Sequence, residues 1–198
     1  MNRLTRIQLF AATALSAAVF YAAPASADPT APCNDGPGTL STECGTNSVA
    51  TGNFGTAVGQ LARATGVEST AVGTDSLAAG LRSTALGVVA TALADDSTAL
   101  GDRASAEDVN STAVGSGAVA TGRSSTALGS GGVASRPTTA AAGFSTAIGT
   151  GTQIAAGATG ATGVGDFNPI TAAGSFGVAL GAFNTVSGSS GIAIGNAA

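Results

Sequence analysis

Ser69-Thr70-Ala71-Val72-Gly73, Ser83-Thr84-Ala85-Leu86-Gly87, Ser97-Thr98-Ala99-Leu100-Gly101, Ser111-Thr112-Ala113-Val114-Gly115 and Ser125-Thr126-Ala127-Leu128-Gly129 are one phrase written five times at a strict spacing of fourteen residues. A sixth copy begins at Ser145 after a break in phase. Gly55-Thr56-Ala57-Val58-Gly59 stands one period upstream, and Gly191-Ile192-Ala193-Ile194-Gly195 is a diverged copy near the end. A fixed short period means one structural unit stacked on itself, so the chain reads as a solenoid.

Inside each fourteen lies a weaker seven, marked by Gly45, Gly52, Gly59, Gly66, Gly73 and Gly80. Each seven holds about four alternating residues and then a turn rich in Gly, Asp or Asn. That pattern predicts short β-strands joined by tight turns, with glycine supplying the turn angles. Two strands and two turns then make one coil of a flattened parallel β-roll.

Side chains alternate faces along a strand, so parity decides what points inward. On the second strand of successive coils, the first and third positions hold only Ala or Ser, as in Ala62 and Ala64, Ser76 and Ala78, Ala104 and Ala106. The other two positions include Arg63 and Glu107, which cannot be buried unpaired in a thin roll. The Ala/Ser columns are therefore expected inside, with Ser69, Ala71 and their counterparts on the first strand. The remaining first-strand residues, Val58, Val72, Leu86, Leu100, Val114, Leu128 and Ile148, must point outward beside Thr70, Thr84, Thr98, Thr112 and Thr126. A continuous apolar stripe of this kind marks an interaction surface. Burying each branched side chain is worth about 1.5–3 kcal/mol, so seven contribute roughly 10–20 kcal/mol per chain before ordering costs. The interior, read as methyl and hydroxymethyl groups only, cannot match that, and the expected stable object is an oligomer with its core between the rolls. Cyclic dimers and trimers both fit the period.

The chain opens like an exported protein. Arg3 and Arg6 precede an apolar stretch from Ile7 to Phe20, and Pro24 precedes Ala25-Ser26-Ala27. This predicts a secretory signal over 1–27, cleavage after Ala27 and no membrane span in the mature chain. Residues 28–46 form a Pro/Gly-rich segment and 47–198 the repeats. Cys33 and Cys44, the two cysteines, lie in that segment. In an exported chain they read as a disulfide on the N-terminal edge of the solenoid; two free thiols or half a metal site are the alternatives.

Removing the two leader arginines leaves five against eleven acidic residues, a net charge near −6. That disfavours nucleic acid or an anionic bilayer as partner. There is no histidine, hence no Ser/His/Asp triad, and no carboxylate pair stands out in an apolar setting. Asp95-Asp96, Asp102 and Glu107-Asp108 lack the nonapeptide calcium-roll pattern and read as solvated turns. Gly160-Ala161-Thr162-Gly163-Val164-Gly165 sits inside the repeat, with no helix to follow, and is discounted as a phosphate loop. No enzyme, cofactor or metal is expected. Phase slips between Gly143 and Gly181, where Phe144, Phe167, Phe176 and Phe183 occur and Asn168-Pro169 reads as a turn. Those rings are read either as wedges at the oligomer interface or as ligand contacts.

Ser-Thr-Ala-Val-Gly at 69–73, its relatives, and Gly181-Ala182-Phe183-Asn184-Thr185-Val186-Ser187-Gly188 resemble the head repeats of trimeric autotransporter adhesins. These YadA-like heads are built from haemagglutinin-type seven-residue repeats of small-x-Ala-x-Gly form. The resemblance covers roughly Asn47 to Asn196. It implies a left-handed parallel β-roll, a homotrimer of rolls side by side, and display at a bacterial cell surface or outer membrane. It further implies a virulence role in adhesion to host extracellular matrix, a cell-surface receptor or other cells. The family usually places valine where Thr70 and its counterparts stand. It also carries a coiled-coil stalk and a C-terminal barrel anchor; no heptads occur here, so a free exported head, or a passenger fragment separate from stalk and anchor, is expected. A different class, an ice-binding solenoid, is suggested by the Thr70 to Thr126 column at about 4.8 Å per coil.

Overall fold

A computed structural model describes residues 33–131 and 136–198. The expected signal segment at 1–27 and its cleavage site after Ala27 lie outside the described residues. The described chain is an all-β parallel solenoid of about 11 turns in two sheets.

The front sheet has 12 strands. It begins with a short strand Asn34–Asp35 and continues through Thr42–Cys44, Thr56–Val58, Thr70–Val72, Thr84–Leu86, Thr98–Leu100, Thr112–Val114, Thr126–Leu128, Thr146–Ile148, Thr162–Asp166, Val178–Ala182 and Ile192–Asn196. The back sheet has 9 strands, from Val49–Ala50 to Pro169–Ile170. Successive front strands pair in parallel with like residues opposed, as in Thr98↔Thr112, Ala99↔Ala113 and Leu100↔Val114. The phase slip does not break this register: Thr126 still opposes Thr146, and Thr146 opposes Thr162. Extra residues are taken up in the turns, because slipping a strand by one residue would turn its whole buried set outward.

Parity falls as the charged back-strand residues require. Ser69, Ser83, Ser97, Ser111 and Ser125, and Ala71, Ala85, Ala99, Ala113 and Ala127, are wholly buried, as are Ala62, Ala64, Ser76, Ala78, Ala104 and Ala106. The Ser69 hydroxyl donates to Gly66 O at 2.7 Å and that of Ser97 to Ala94 O at 2.6 Å, so these two hydroxyls serve the turns, whereas those of Ser83, Ser111 and Ser125 are buried without a hydrogen-bond partner among the described residues. The thin lumen is the physical reason for alanine: adjoining sheets leave space for a methyl and little more.

Three expectations need correction. The interior is not methyl and hydroxymethyl groups throughout. In the last coils the same columns hold Thr138, Thr152, Asn168, Asn184, Ile154, Ile170 and Val186, all buried. Room comes from the opposite wall, where Gly163 replaces an alanine; a Cβ there would lie 2.7 Å from Thr152 Cγ2. Second, Asn168-Pro169 is not a turn. Asn168 is fully buried and Pro169–Ile170 is the last back-sheet strand, a place where proline's missing N–H is tolerated. Third, glycine supplies only part of the turn geometry: Gly59, Gly73, Gly87 and Gly101 (φ 128 to 138) open the turn after each front strand as expected, but the left-handed third position of the turns is filled mostly by other residues. Leu61, Asp75, Val89 and Arg103 (φ 53 to 59) hold that position at one edge, and Phe54, Glu68, Arg82 and Asp96 (φ 53 to 59) at the other. They are third residues of type II-like turns closed by bonds such as Ala62 N to Gly59 O, 3.3 Å, and Gly55 N to Gly52 O, 2.9 Å.

The two asparagines form a ladder. Asn168 Nδ2 donates to Val164 O (2.8 Å) and Gly181 O (2.7 Å), while its Oδ1 accepts from Asn184 N (2.9 Å). Asn184 repeats this one coil on, with Leu180 O, Gly195 O and Ala198 N. Asn168→Ala should therefore strand several buried backbone groups and cost about 2–4 kcal/mol, against about 1 kcal/mol for an exposed asparagine such as Asn110. Thermal melts of the two variants at equal concentration check this.

Candidate interaction face

The front sheet presents two outward columns. Thr70, Thr84, Thr98, Thr112 and Thr126 form one, each half-buried by its neighbours above and below. Val58, Val72, Leu100, Val114 and Ile148 are also half-buried, and Leu86 and Leu128 are each 37% exposed. All seven apolar side chains stand in one line, through pairs such as Val58↔Val72, Val72↔Leu86 and Leu128↔Ile148. The structure thus brings all twelve residues of the anticipated stripe onto one flat face.

The face is longer than that stripe. Register carries it on through Thr162 and Val164, Val178 and Leu180, and Ile192 and Ile194. There the threonine column itself becomes Val178 and Ile192, so the far end is wholly apolar. The signal was present in the glycines that follow each apolar residue, Gly165, Gly181 and Gly195. It was hidden because spacing changes to sixteen from Gly149 to Gly165 and again from Gly165 to Gly181 before returning to fourteen at Gly195.

The back sheet offers nothing comparable. Its outward positions run Arg63, Leu77, Thr91, Ser105, Val119 and Thr139, chemically mixed and with no column. A groove of about 420 Å³ lies at its last strands, lined by Thr139, Ala141, Gln153, Ile154, Ala155, Pro169, Ile170, Thr171 and Ala172.

None of the four phenylalanines of the irregular stretch lies in the front columns or the groove. All occupy left-handed corner positions (φ 50 to 57), with Phe144 and Phe176 on one edge of the roll and Phe167 and Phe183 on the other. Phe144, Phe176 and Phe183 are more than half exposed. Phe167 stacks on Phe183 with ring centres 5.5 Å apart, and the Arg136 guanidinium lies 5.4 Å from the Phe167 centroid.

Charges sit on the corners as well. Arg82 and Asp96, one coil apart, form a two-pronged pair at 2.7 Å, and the Arg82 hydrogen bonds hold the Asp96 carboxyl below its ordinary range. Asp102 pairs with Arg103 at 2.8 Å. Among the described residues no three His, Cys, Asp or Glu converge to hold a metal ion, and no helix is long and apolar enough to cross a membrane. Cys33 and Cys44 are joined by a disulfide, and Cys44 heads the apolar column, opposite Val58.

The family model for the YadA head domain repeat (2 copies) matches residues 45–62, 64–90, 78–104, 92–118 and 106–131. Comparison with curated proteins gave no match. The matched stretch ends where the fourteen-residue spacing is first interrupted, although the front ladder continues in register for four more strands.

Proposed function

We propose, from the match of residues 45–62 and 64–131 to the YadA head domain repeat, that this chain is the head of a trimeric adhesin. It is exported through its first 27 residues and displayed at a bacterial surface. It works without catalysis, by presenting a stiff, repetitive β-roll to host matrix or to a cell-surface receptor. The observation that carries this reading is the one-sidedness of the roll: an unbroken threonine and branched-apolar ladder on the front sheet, and no such ladder behind.

Three copies packed front to front bury that ladder and leave corners and back sheets for recognition. The threonine column makes the contact more polar than valine would, which limits aggregation of unassembled chains. Sedimentation of the mature chain should give a trimer at micromolar concentration; a folded monomer with the ladder wet would overturn the assembly. Retention on immobilised extracellular-matrix proteins, lost when back-sheet or corner residues are changed and the trimer is kept, tests adhesion. The in-register threonine column also suits an ice-binding surface, and thermal hysteresis in the purified protein would favour that reading.

A further inference from the structure

Asn110-Ser111-Thr112 is an asparagine, a residue other than proline and a threonine. That is the sequence of an acceptor for N-linked sugar, which belongs on an exposed turn of an exported chain. Eight asparagines occur in the chain, and Asn110 alone has Ser or Thr two residues on. The strict repeat supplies Ser-Thr at the start of each front strand, but the corner residues before it in the flanking coils are Glu68, Arg82, Asp96 and Ser124.

The fold presents this one asparagine as an acceptor must be presented. Asn110 occupies a left-handed corner, φ 58, between a back strand and a front strand, and it is exposed. Asparagine enters that conformation more readily than most residues. The backbone there is fixed: Asn110 N donates to Asp95 O at 3.0 Å, and Val109 N donates to Asp108 Oδ1 at 2.7 Å. Asn53 accepts from Thr39 N, and Asn168 and Asn184 are bound into the lumen, whereas among the described residues no hydrogen bond holds the Asn110 carboxamide. Neither neighbour in the corner column crowds it. One coil before, the Asp96 carboxylate is held by Arg82, a coil further back, in two bonds of 2.7 Å. One coil after stands Ser124, with only a hydroxymethyl group.

We propose that Asn110 is an N-glycosylation site, the acceptor for a sugar delivered from a glycosyl diphosphate. The carboxamide nitrogen attacks the anomeric carbon, the bond from that carbon to the diphosphate oxygen breaks, and the diphosphate leaves with its electron pair. One amide proton passes to a base of the transferase, and Asn110 keeps the other. The Thr112 hydroxyl is the second group that the transferase reads. Thr112 stands half-buried in the front column, between Thr98 and Thr126, so transfer precedes any meeting of rolls front to front. The proposal rests on the export reading for the chain's passage past a transferase.

Chain purified from the cell that makes it, unfolded and cut after arginine, yields peptide 104–123, in which Asn110 is the one asparagine. Mass spectrometry should find that peptide heavier by whole sugar residues, with fragmentation placing them on Asn110. A single added sugar marks a nucleotide-linked donor, and a preassembled block marks a lipid-linked one. Asn110→Gln should abolish the increment. So should Thr112→Val, which leaves Asn110 in place, while Thr112→Ser should keep it. These variants fold, since Glu68 holds the same corner conformation at φ 58 and Val178 fills the threonine column in a later coil. The N-terminal peptide of the same digest reports the leader separately. An unmodified peptide 104–123 overturns the glycan whether or not the leader is gone, and a retained leader overturns export alone. Sugar that persists in Asn110→Gln or in Thr112→Val also overturns the site.

Discussion

Leu100→Asp should leave a folded roll that no longer assembles. Leu100 lies mid-ladder and points outward, while the neighbouring Ala99 is wholly buried in the lumen. The substitution therefore leaves the subunit's own interior untouched. In an assembly with the front sheets in contact, it removes about 1.5–3 kcal/mol of apolar burial per chain and places a carboxylate in the same dry seam three times over. Dissociation should tighten its demand on concentration at least roughly hundredfold, since each 1.4 kcal/mol is a factor of ten. Circular dichroism should show the β-roll retained, and sedimentation should show the mass falling to that of one chain. Leu77→Asp is the control: Leu77 faces outward on the back sheet, between Arg63 and Thr91. It should leave the assembly intact. If Leu100→Asp sediments like the wild type, the front sheet is not where the rolls meet.

Two glycines should respond in opposite ways. Gly87 has φ 138, and a Cβ built on it would lie 2.3 Å from Gly101 O and 2.6 Å from Gly101 C on the next coil. Both atoms are backbone and cannot move aside without prying two coils apart. Gly87→Ala should cost about 3 kcal/mol or more, from backbone strain of order 1–3 kcal/mol plus the clash. For a chain of this size that lowers the melting temperature by about 6–12 °C. Gly117 has φ 66 and nothing within 4 Å of a built Cβ. Its column is filled in other coils by Leu61, Asp75, Val89 and Arg103 in the same left-handed conformation. Gly117→Asn should be neutral, or stabilise by up to about 0.5 kcal/mol through a less flexible unfolded chain. Melts at one fixed protein concentration separate these cases, because assembly makes the midpoint concentration-dependent.

The contrast between those glycines shows how far reading along the chain reaches. The repeated Gly73, Gly87 and Gly101 announce a constraint by recurring, yet its cause is the carbonyl of the following coil. The left-handed corners have no such signature, since Phe54, Glu68, Arg82 and Asp96 share no chemistry. What they share is a position between two strands whose spacing allows only a two-residue turn.

Period and parity alone determined the coil, its two strands, the buried Ala and Ser columns and the outward line from Val58 to Ile148. Each of these depends on alternation and spacing within one or two repeats, so local sequence contains them. Tertiary structure alone decided how the ladder continues through Val164 and Leu180, and where Asn168 and Ile170 turn inward to face Gly163. It also decided that Asn34–Asp35 folds back across the first coil. Those features depend on closure between coils: once the spacing departs from fourteen, only hydrogen-bond pairing to the coil before tells which residue faces the lumen.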